Sequence, residues 1–308
     1  MIFFYSHNLL FLVFAERDSY ESLDIHKFYS FAITIDGFTK YDGKCGTWGL
    51  AESPLLFENK IFYTPGGNKT TMVALDKNTG ETVWQSESLF DQTAYVSPLL
   101  IKHSNKNIVV NITANYLFGA DVENGKILWK TKYTDIDPPL WHPEAPAINA
   151  NTPLFKDGYI YVTSGYNHVG AMFKLSSDAS NITHVWTDTT LDVHIGGVVL
   201  IDGYIYGANW ENNRMGNWCC VDWKTGNLMY EKEWICKGSI ISAEKMLYCY
   251  EEKKGNVALV KATPENFEIV STFKIDKGSG PHWAHPVIHN GILYIRHGNV
   301  LMAFDIRG

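Results

Sequence analysis

The stretch Thr71-Met72-Val73-Ala74-Leu75-Asp76-Lys77-Asn78-Thr79-Gly80-Glu81-Thr82-Val83-Trp84 decides the fold. It reads as a strand, a tight turn and a returning strand. Val73 and Leu75 alternate with Met72 and Ala74, the two-residue period of a half-buried strand. Asp76 through Gly80 supplies the turn. Asp and Asn side chains bond their own backbone and tolerate left-handed conformations, and Gly adopts positive φ at no steric cost. Val83 and Trp84 open the return strand, and Trp84 is a large apolar body that has to be buried.

The stretch recurs. Leu117-Phe118-Gly119-Ala120-Asp121-Val122-Glu123-Asn124-Gly125-Lys126-Ile127-Leu128-Trp129 repeats it 45 residues on, counted from Asp76 to Asp121 or from Trp84 to Trp129. Cys220-Val221-Asp222-Trp223-Lys224-Thr225-Gly226 is a further copy with Tyr230 near the Trp place, and Met302-Ala303-Phe304-Asp305 opens another. Periods of about 20–50 residues mean a repeat architecture. Six units follow from the strand lead-ins at Ser53-Pro54, Ser97-Pro98, Thr152-Pro153, Gly196-Gly197, Ser239-Ile240 and His285-Pro286, spaced 44, 55, 44, 43 and 46 residues apart. Asp157-Gly158, Asp202-Gly203 and Asn290-Gly291 are two-residue hairpin signals. Each unit therefore predicts about four short antiparallel strands, the size of one propeller blade. No helical period is visible. The long interval is assigned to an insertion, Asp135 to Asn149, read as a rim loop. Phe31 to Asp36 reads as a lone outer strand.

The repeats resemble the PQQ-like (pyrroloquinoline-quinone-type) β-propellers. Ala74-Leu75-Asp76 through Thr79-Gly80 to Trp84 carries the likeness, joined by Asp121, Gly125 and Trp129, and by Asp222, Thr225 and Gly226. Lys174-Leu175-Ser176 with Trp186, and Leu259-Val260-Lys261 with Phe273, fit more loosely, and Asp305 starts the motif once more. The resemblance covers 31–308, with 1–30 as an atypical N-terminal extension. It implies a ring of seven or eight blades stitched by Trp docking between neighbours. Six units then mean an N-terminally incomplete ring; the rival is a six-bladed ring closed by Phe31–Asp36 pairing with the last unit, which would remove two exposed edges. The family spans quinoprotein alcohol dehydrogenases and non-enzymatic scaffolds such as the outer-membrane protein assembly lipoprotein. The chain also looks like exported bacterial PQQ-binding-like repeat proteins.

Composition narrows the function. The 308 residues are 45% hydrophobic and 19% charged, with net charge −7 and no Lys/Arg cluster. That argues against a nucleic-acid partner, which needs a basic stripe. The five Cys form neither a metal-spaced set nor an even disulfide framework. The apolar run Leu9 to Ala15 is too short to span a membrane. It reads as the core of an export signal without the basic residues that should precede it, or as a truncated N-terminus. A periplasmic or otherwise exported monomer is expected.

The candidate site comes from the lead-ins, because the innermost strands of a propeller line its axial channel. Trp48, Glu52, Tyr95, Asn151, His194, Lys237, His282, Trp283 and His285 occupy equivalent places in their units, and Arg296 and His297 follow the second strand of the last one. They are expected to converge on one funnel, either satisfying one another or meeting a ligand. The loops Tyr166–Gly170 and Trp210–Gly216 could widen its rim. Imidazoles of His194, His282 and His285 suit zinc or copper, but their spacing is not that of a metal site, so no metal is expected. Quinoprotein dehydrogenases place a vicinal Cys pair over the cofactor. Here Cys219-Cys220 sits within a strand, which favours a buried structural role. No cofactor is expected, with PQQ and calcium as the alternative. The leading reading is a non-enzymatic envelope scaffold that binds a protein or glycan. The alternatives are a quinone-dependent oxidoreductase and a glycan hydrolase or lyase using His194, Lys237 and Glu52; no catalytic residue is assigned.

Overall fold

A computed structural model describes residues 2–6, 9–14, 31–136 and 148–307, with side chains from Ile35 onward. Most of the 135–149 insertion and the stretch 15–30 lie outside the described residues. The chain divides into two compact units, Met1–Tyr133 with Ser177–Asn181, and Thr134–Ser176 with Ile182–Gly308.

Among the described residues, seven antiparallel sheets of three or four strands follow one another along the chain. Sheet 1 is Ile2–Ser6, Leu9–Phe14 and Phe31–Asp36. Sheet 2 is Leu55–Phe57, Lys60–Tyr63, Val73–Asp76 and Thr82–Gln85; sheet 3 is Leu99–His103, Lys106–Ile112, Tyr116–Asp121 and Ile127–Lys132. In the second unit, sheet 4 is Leu154–Lys156, Tyr159–Val162, Gly170–Leu175 and Ile182–Asp188. Sheet 5 is Val198–Ile201, Tyr204–Ala208, Trp218–Asp222 and Leu228–Lys232. Sheet 6 is Gly238–Ala243, Met246–Glu251, Asn256–Lys261 and Ile269–Lys274. Sheet 7 is Val287–His289, Ile292–His297 and Val300–Asp305. A two-stranded ribbon, Gly66–Gly67 with Asp91–Gln92, accompanies sheet 2.

Phe31–Asp36 is not a lone strand and does not complete the last sheet. It pairs with Leu9–Phe14, from Leu9 opposite Asp36 to Phe14 opposite Phe31. The single-turn helix Gly37–Tyr41 follows, capped by Asp36, whose Oδ1 accepts from the N–H groups of Phe38 and Thr39. One turn is too short for a helical period to show in the sequence.

The hairpins obey their turn residues. Asp157-Gly158, Asp202-Gly203 and Asn290-Gly291 all take positive φ at both positions, which matches the twist of the strands they join. Ser104-Asn105 and Glu244-Lys245 do the same without a Gly to announce it. The Asp-to-Gly turns work as read. Asp76 Oδ1 accepts from the N–H groups of Asn78 and Thr79 at 2.8 and 2.9 Å, and Gly80 closes the turn at φ +71°. Asp222 and Gly226 repeat that geometry.

Within each unit, consecutive sheets pack face to face. In the first unit, Phe62, Met72 and Trp84 of sheet 2 meet Val109 and Phe118 of sheet 3, while Ile35 and Tyr41 meet Ile61, Tyr63, Val73 and Leu75. In the second, Tyr161 and Met172 meet Ile205, Cys219 and Val221; Tyr206, Trp218 and Cys220 meet Ile240, Leu247 and Cys249; and Tyr250 and Val257 meet Leu293 and Ile295. Each fully buried ring or branched chain contributes about 1.5–3 kcal/mol.

A bulge recurs at one place in all five four-stranded sheets, between the third strand and the fourth. It adds one residue to the fourth strand: Val83, Leu128, Val185, Met229 and Val270. An extra residue in one strand is left outside the pairing and re-aims its neighbours. This accounts for the exposure of Val83 (49%), Val185 (45%), Met229 (40%) and Val270 (52%) in an otherwise apolar-in pattern. The residue after the bulge is Trp84, Trp129, Trp186, Tyr230 and Ser271. Ser271, not Phe273, therefore stands at the Trp place in the fifth unit. Phe273 instead meets Phe304 of sheet 7, ring centroids 5.0 Å apart.

Candidate functional site

In the first unit Glu52 is buried and does not face open solvent. Its carboxylate accepts from the Thr64 N–H at 2.5 Å and from Asn111 Nδ2 at 3.3 Å, and Asn111 Nδ2 also donates to Thr64 Oγ1 at 2.7 Å. Burial pushes its carboxyl up to about 7, against the opposing pull of those donors. Trp48 and Tyr95 form an edge-to-face pair with centroids 5.5 Å apart, and Tyr95 Oη accepts from the Trp48 N–H at 3.4 Å. Trp48 is 62% exposed, so this pair presents an open indole.

The second unit holds most of the remaining candidates. Asn151 is buried, and its amide cross-links backbone: Nδ2 donates to the Val193 and His194 carbonyls at 2.6 and 3.2 Å, and Oδ1 accepts from the Gly197 N–H at 3.0 Å. His285, although exposed, also binds backbone, donating from Nε2 to the Ile195 carbonyl at 2.8 Å. Both residues thus brace the segment 193–197.

That segment carries His194 into a small cleft lined by Ile195, Gly196, Ala208, Lys237, Gly238 and Glu252. Lys237 is buried and donates to Glu252 Oε1 at 2.5 Å and to the Asn212 carbonyl at 3.1 Å. His194 Nε2 is 3.0 Å from Tyr166 Oη, and its Nδ1 is buried without a hydrogen-bond partner. Burial and then the Lys237 ammonium hold the imidazole down at about 4, so it is neutral at pH 7.

His282 and His297 stack, centroids 3.7 Å apart and planes 19° apart. His282 Nδ1 meets Tyr250 Oη at 2.5 Å, and its ring covers Gly255. His297 faces the Lys277 and Gly280 carbonyls with Nδ1 and Nε2, both at 2.7 Å. Arg296 is exposed on the opposite face of its strand, as a two-residue period requires. Trp283 is 57% exposed.

The sequence singled out the loops 166–170 and 210–216 without naming their anchor, Asp192. This buried carboxylate accepts from the Asn167 N–H at 3.0 Å and the Trp210 N–H at 3.1 Å, tying the two loops together. Burial raises it to about 7. Tyr166 and Trp210 lie side by side as a result, centroids 5.0 Å apart. The one signal for Asp192 was its place two residues before His194. Glu252 as the partner of Lys237 had none.

The adjacent cysteines decide one question directly. Cys219 lies among Tyr161, Met172, Leu191 and Ile205, and Cys220 lies among Tyr206, Trp218, Ile240 and Cys249, on opposite faces of one sheet. Both are free thiols, and burial pushes both up, Cys220 to about 12. Side chains that alternate across a strand cannot close a bond to each other. Among the described residues, no group of three or more His, Cys, Asp or Glu side chains could hold a metal ion. Cys219 and Cys220 therefore do not form the vicinal disulfide that the quinoprotein resemblance would place over a cofactor. No helix among the described residues is long and apolar enough to cross a membrane.

Face-to-face four-stranded sheets, joined in sequence and lead-in segments rich in polar groups, define a β-propeller. Residues 40–232, well over half of the chain, match the PQQ-repeat family described as outer membrane protein assembly factor BamB, and the chain belongs to that family. Among curated proteins it is similar to the uncharacterized protein RP232 of Rickettsia prowazekii (strain Madrid E), 24% identical over 127 residues. That match covers 39% of this chain and 28% of the relative, less than a third of its length. Among solved structures it is similar to a europium-containing methanol dehydrogenase, with TM-score 0.62 and 12% identity over 98% of this chain and 75% of that one. A quinohemoprotein alcohol dehydrogenase from Comamonas testosteroni gives TM-score 0.58 and 14% identity over 85% and 53%. The computationally designed protein Ika8 gives 0.60 and 13% over 99% and 82%. At such identities the likeness is one of fold.

Proposed function

We propose that this chain is a non-enzymatic binding and scaffold propeller of the bacterial envelope, recognising a protein or glycan through the rim formed by its lead-ins and second-to-third-strand loops. Membership of the assembly-factor family supports the scaffold role and the envelope location. The observation that carries the reading is the state of the polar groups. Lys237 is neutralised by Glu252, Glu52 is held by Thr64 and Asn111, and Asn151 and His285 are spent on backbone. General acid–base chemistry needs a group within reach of a substrate proton and free to move it. Besides the braced His285, the exposed candidates are the aromatics Trp48 and Trp283 and the guanidinium of Arg296. The seven- or eight-bladed ring belongs to the same proposal, supported by the repeat spacing and the run of blade-like sheets.

The test is a dye-linked oxidation assay on the purified chain with PQQ, calcium and a panel of primary alcohols, beside photocrosslinking from positions 48 and 210 in intact cells. We expect no dye reduction, and adducts in the envelope fraction at both positions. Steady dye reduction at enzyme-like rates, or no adduct from either position, would overturn the reading.

A further inference from the structure

We propose that His297 is a pH-sensitive latch on the connector 275–286, which leads from sheet 6 into sheet 7 and carries Trp283. Donation from both ring nitrogens pins the connector, and loss of one ring proton releases it. The latch is independent of what the rim binds. The connector has no regular structure between Lys274 and Val287. Among the described residues, Ile275 is its one member in a backbone–backbone hydrogen bond, donating to the Gly255 carbonyl at 2.9 Å. Its other hydrogen bonds are all made by imidazoles. His297 meets the Lys277 and Gly280 carbonyls, His282 the Tyr250 hydroxyl, and His285 the Ile195 carbonyl.

Of these three rings, His297 alone needs a second proton. A carbonyl oxygen accepts and cannot donate, so a ring nitrogen bonded to one has to carry hydrogen. His297 is buried and faces two carbonyls, that of Lys277 with Nδ1 and that of Gly280 with Nε2, both at 2.7 Å. A neutral imidazole has a single N–H, so this arrangement needs the imidazolium. In the neutral ring a bare nitrogen would point its lone pair at one of those oxygens. Two acceptors repel at that separation, and one carbonyl loses its donor. His285 uses Nε2 alone, and a tyrosine hydroxyl serves His282 as donor or acceptor, so both keep their bonds when neutral.

The surroundings suit one charge at this place. His282 stacks on His297, centroids 3.7 Å apart. Burial, then the His297 charge, hold the His282 imidazole below its usual range, with Glu251 pulling the other way and Lys274 adding a smaller push. The neutral form of His282 is therefore favoured beside a charged His297. Tyr250 is the other titratable group at the His282 ring, and burial pushes its hydroxyl up to about 12, so it keeps its proton. Arg296 is exposed on the opposite face of the strand, and Asp276 and Lys277 are exposed at the turn. The turn fits closely against His297. A Cβ on Gly278 would stand 2.2 Å from the His297 carbonyl oxygen, and one on Gly298 would stand 2.1 Å from that of Ser279. Gly278 and Gly280 take φ +91° and +92°, so the pinned turn is built from residues that change conformation at low steric cost. A segment with so few backbone hydrogen bonds belongs to the part of a fold that opens locally.

The experiment is a pH series on the whole chain from about pH 5 to 9, which brackets the titration of an imidazole. Nitrogen NMR of labelled histidine rings reads the protonation of His297. Hydrogen–deuterium exchange by mass spectrometry, corrected for the intrinsic pH dependence of exchange, reads the connector. The same series is run on His297→Gln, which cannot titrate. We expect two protonated nitrogens on His297 at the acid end and loss of one proton as pH rises. Protection of the connector should fall by roughly tenfold or more with the same midpoint, the scale of one hydrogen bond to a charged group. Sheet 7 should stay protected throughout, and His297→Gln should exchange at the alkaline rate at every pH. A bare nitrogen on His297 at the acid end overturns the latch. So does protection that ignores pH, a midpoint unlike that of the ring, or a pH response that survives in His297→Gln. Should His297→Gln fail to fold, the two wild-type midpoints decide.

Discussion

Trp84 of sheet 2 lies across Gly125 of sheet 3. Its Nε1 donates to the Val122 carbonyl at 2.9 Å, and its ring passes 2.4 Å from where a Cβ on Gly125 would stand. Gly125 is also at φ +74°. Gly125→Ala therefore adds a collision to a strained backbone and should cost about 2–4 kcal/mol in a denaturant melt. Gly203, also at positive φ but with open space around it, is the control. Gly203→Ala should cost only the backbone strain, about 1 kcal/mol. Equal losses at the two positions would refute the docking argument.

Glu52 makes the fold lose stability as pH rises from acid to neutral. Its carboxyl titrates at about 7 in the folded protein against an ordinary 4.5. Below 4.5 it is protonated in both states and nothing is lost. Between 4.5 and 7 the unfolded chain releases the proton first, so stability falls as pH rises, by a total on the order of 3 kcal/mol. Glu52→Gln removes that component. The difference in unfolding free energy between wild type and variant should change across this window and be level above pH 8.

His194 acts in the opposite direction. Its folded value of about 4 lies below the ordinary 6.5, so the unfolded chain takes up the proton first as pH falls. Stability is therefore lost between pH 6.5 and 4. His168, buried and also lowered to about 4, adds a loss of the same sign. His194→Gln should flatten part of the acid limb of a Tm-against-pH curve, and a curve identical to wild type would show that the ring is not held neutral.

The Lys237–Glu252 pair is buried on both sides, with side-chain exposures of 3% and 10%. Lys237→Met leaves Glu252 without its counter-charge and should cost about 3–5 kcal/mol, whereas Lys237→Met with Glu252→Leu should recover much of it. A double-mutant cycle on chemical melts measures the coupling, and additive losses would argue that the pair is solvated.

The cysteines should be silent. Cys219 and Cys220 point into different cores, and burial raises both thiols. Neither should react with a maleimide until the chain unfolds. Reductant should leave the Tm unchanged. A vicinal disulfide found by mass spectrometry of the native protein would contradict the strand geometry.

Much of the fold was legible in the residues. The Asp76-to-Gly80 turn, its copies at Asp121 and Asp222, and the Asp-Gly and Asn-Gly hairpins all depend on interactions within a few residues, so their chemistry sits in the local pattern. Six of the seven sheets follow from it. Sheet 1 did not, because Phe31–Asp36 finds its partner at Leu9–Phe14, which carries no turn or repeat signature. Phe273 was misplaced because residues 262–268 join the third and fourth strands of its unit where the shorter 77–81 does so in the first copy, and that length carries no mark in the sequence.

The site was legible as a set of residue types and not as an arrangement. Period, turn chemistry and the polar lead-ins are consequences of short-range sterics and alternation, and these any reader of the chain recovers. Which polar group is spent and which is open depends on partners far apart in the chain. Asn151 reaches Gly197 across 46 residues, Glu52 reaches Asn111 across 59, and His285 reaches Ile195 across 90. A buried polar atom must be paired by whatever the packing brings to it, and packing is a property of the folded sheets. That is why Asn151 and His285 became braces, and why Tyr166 came to lie beside Trp210.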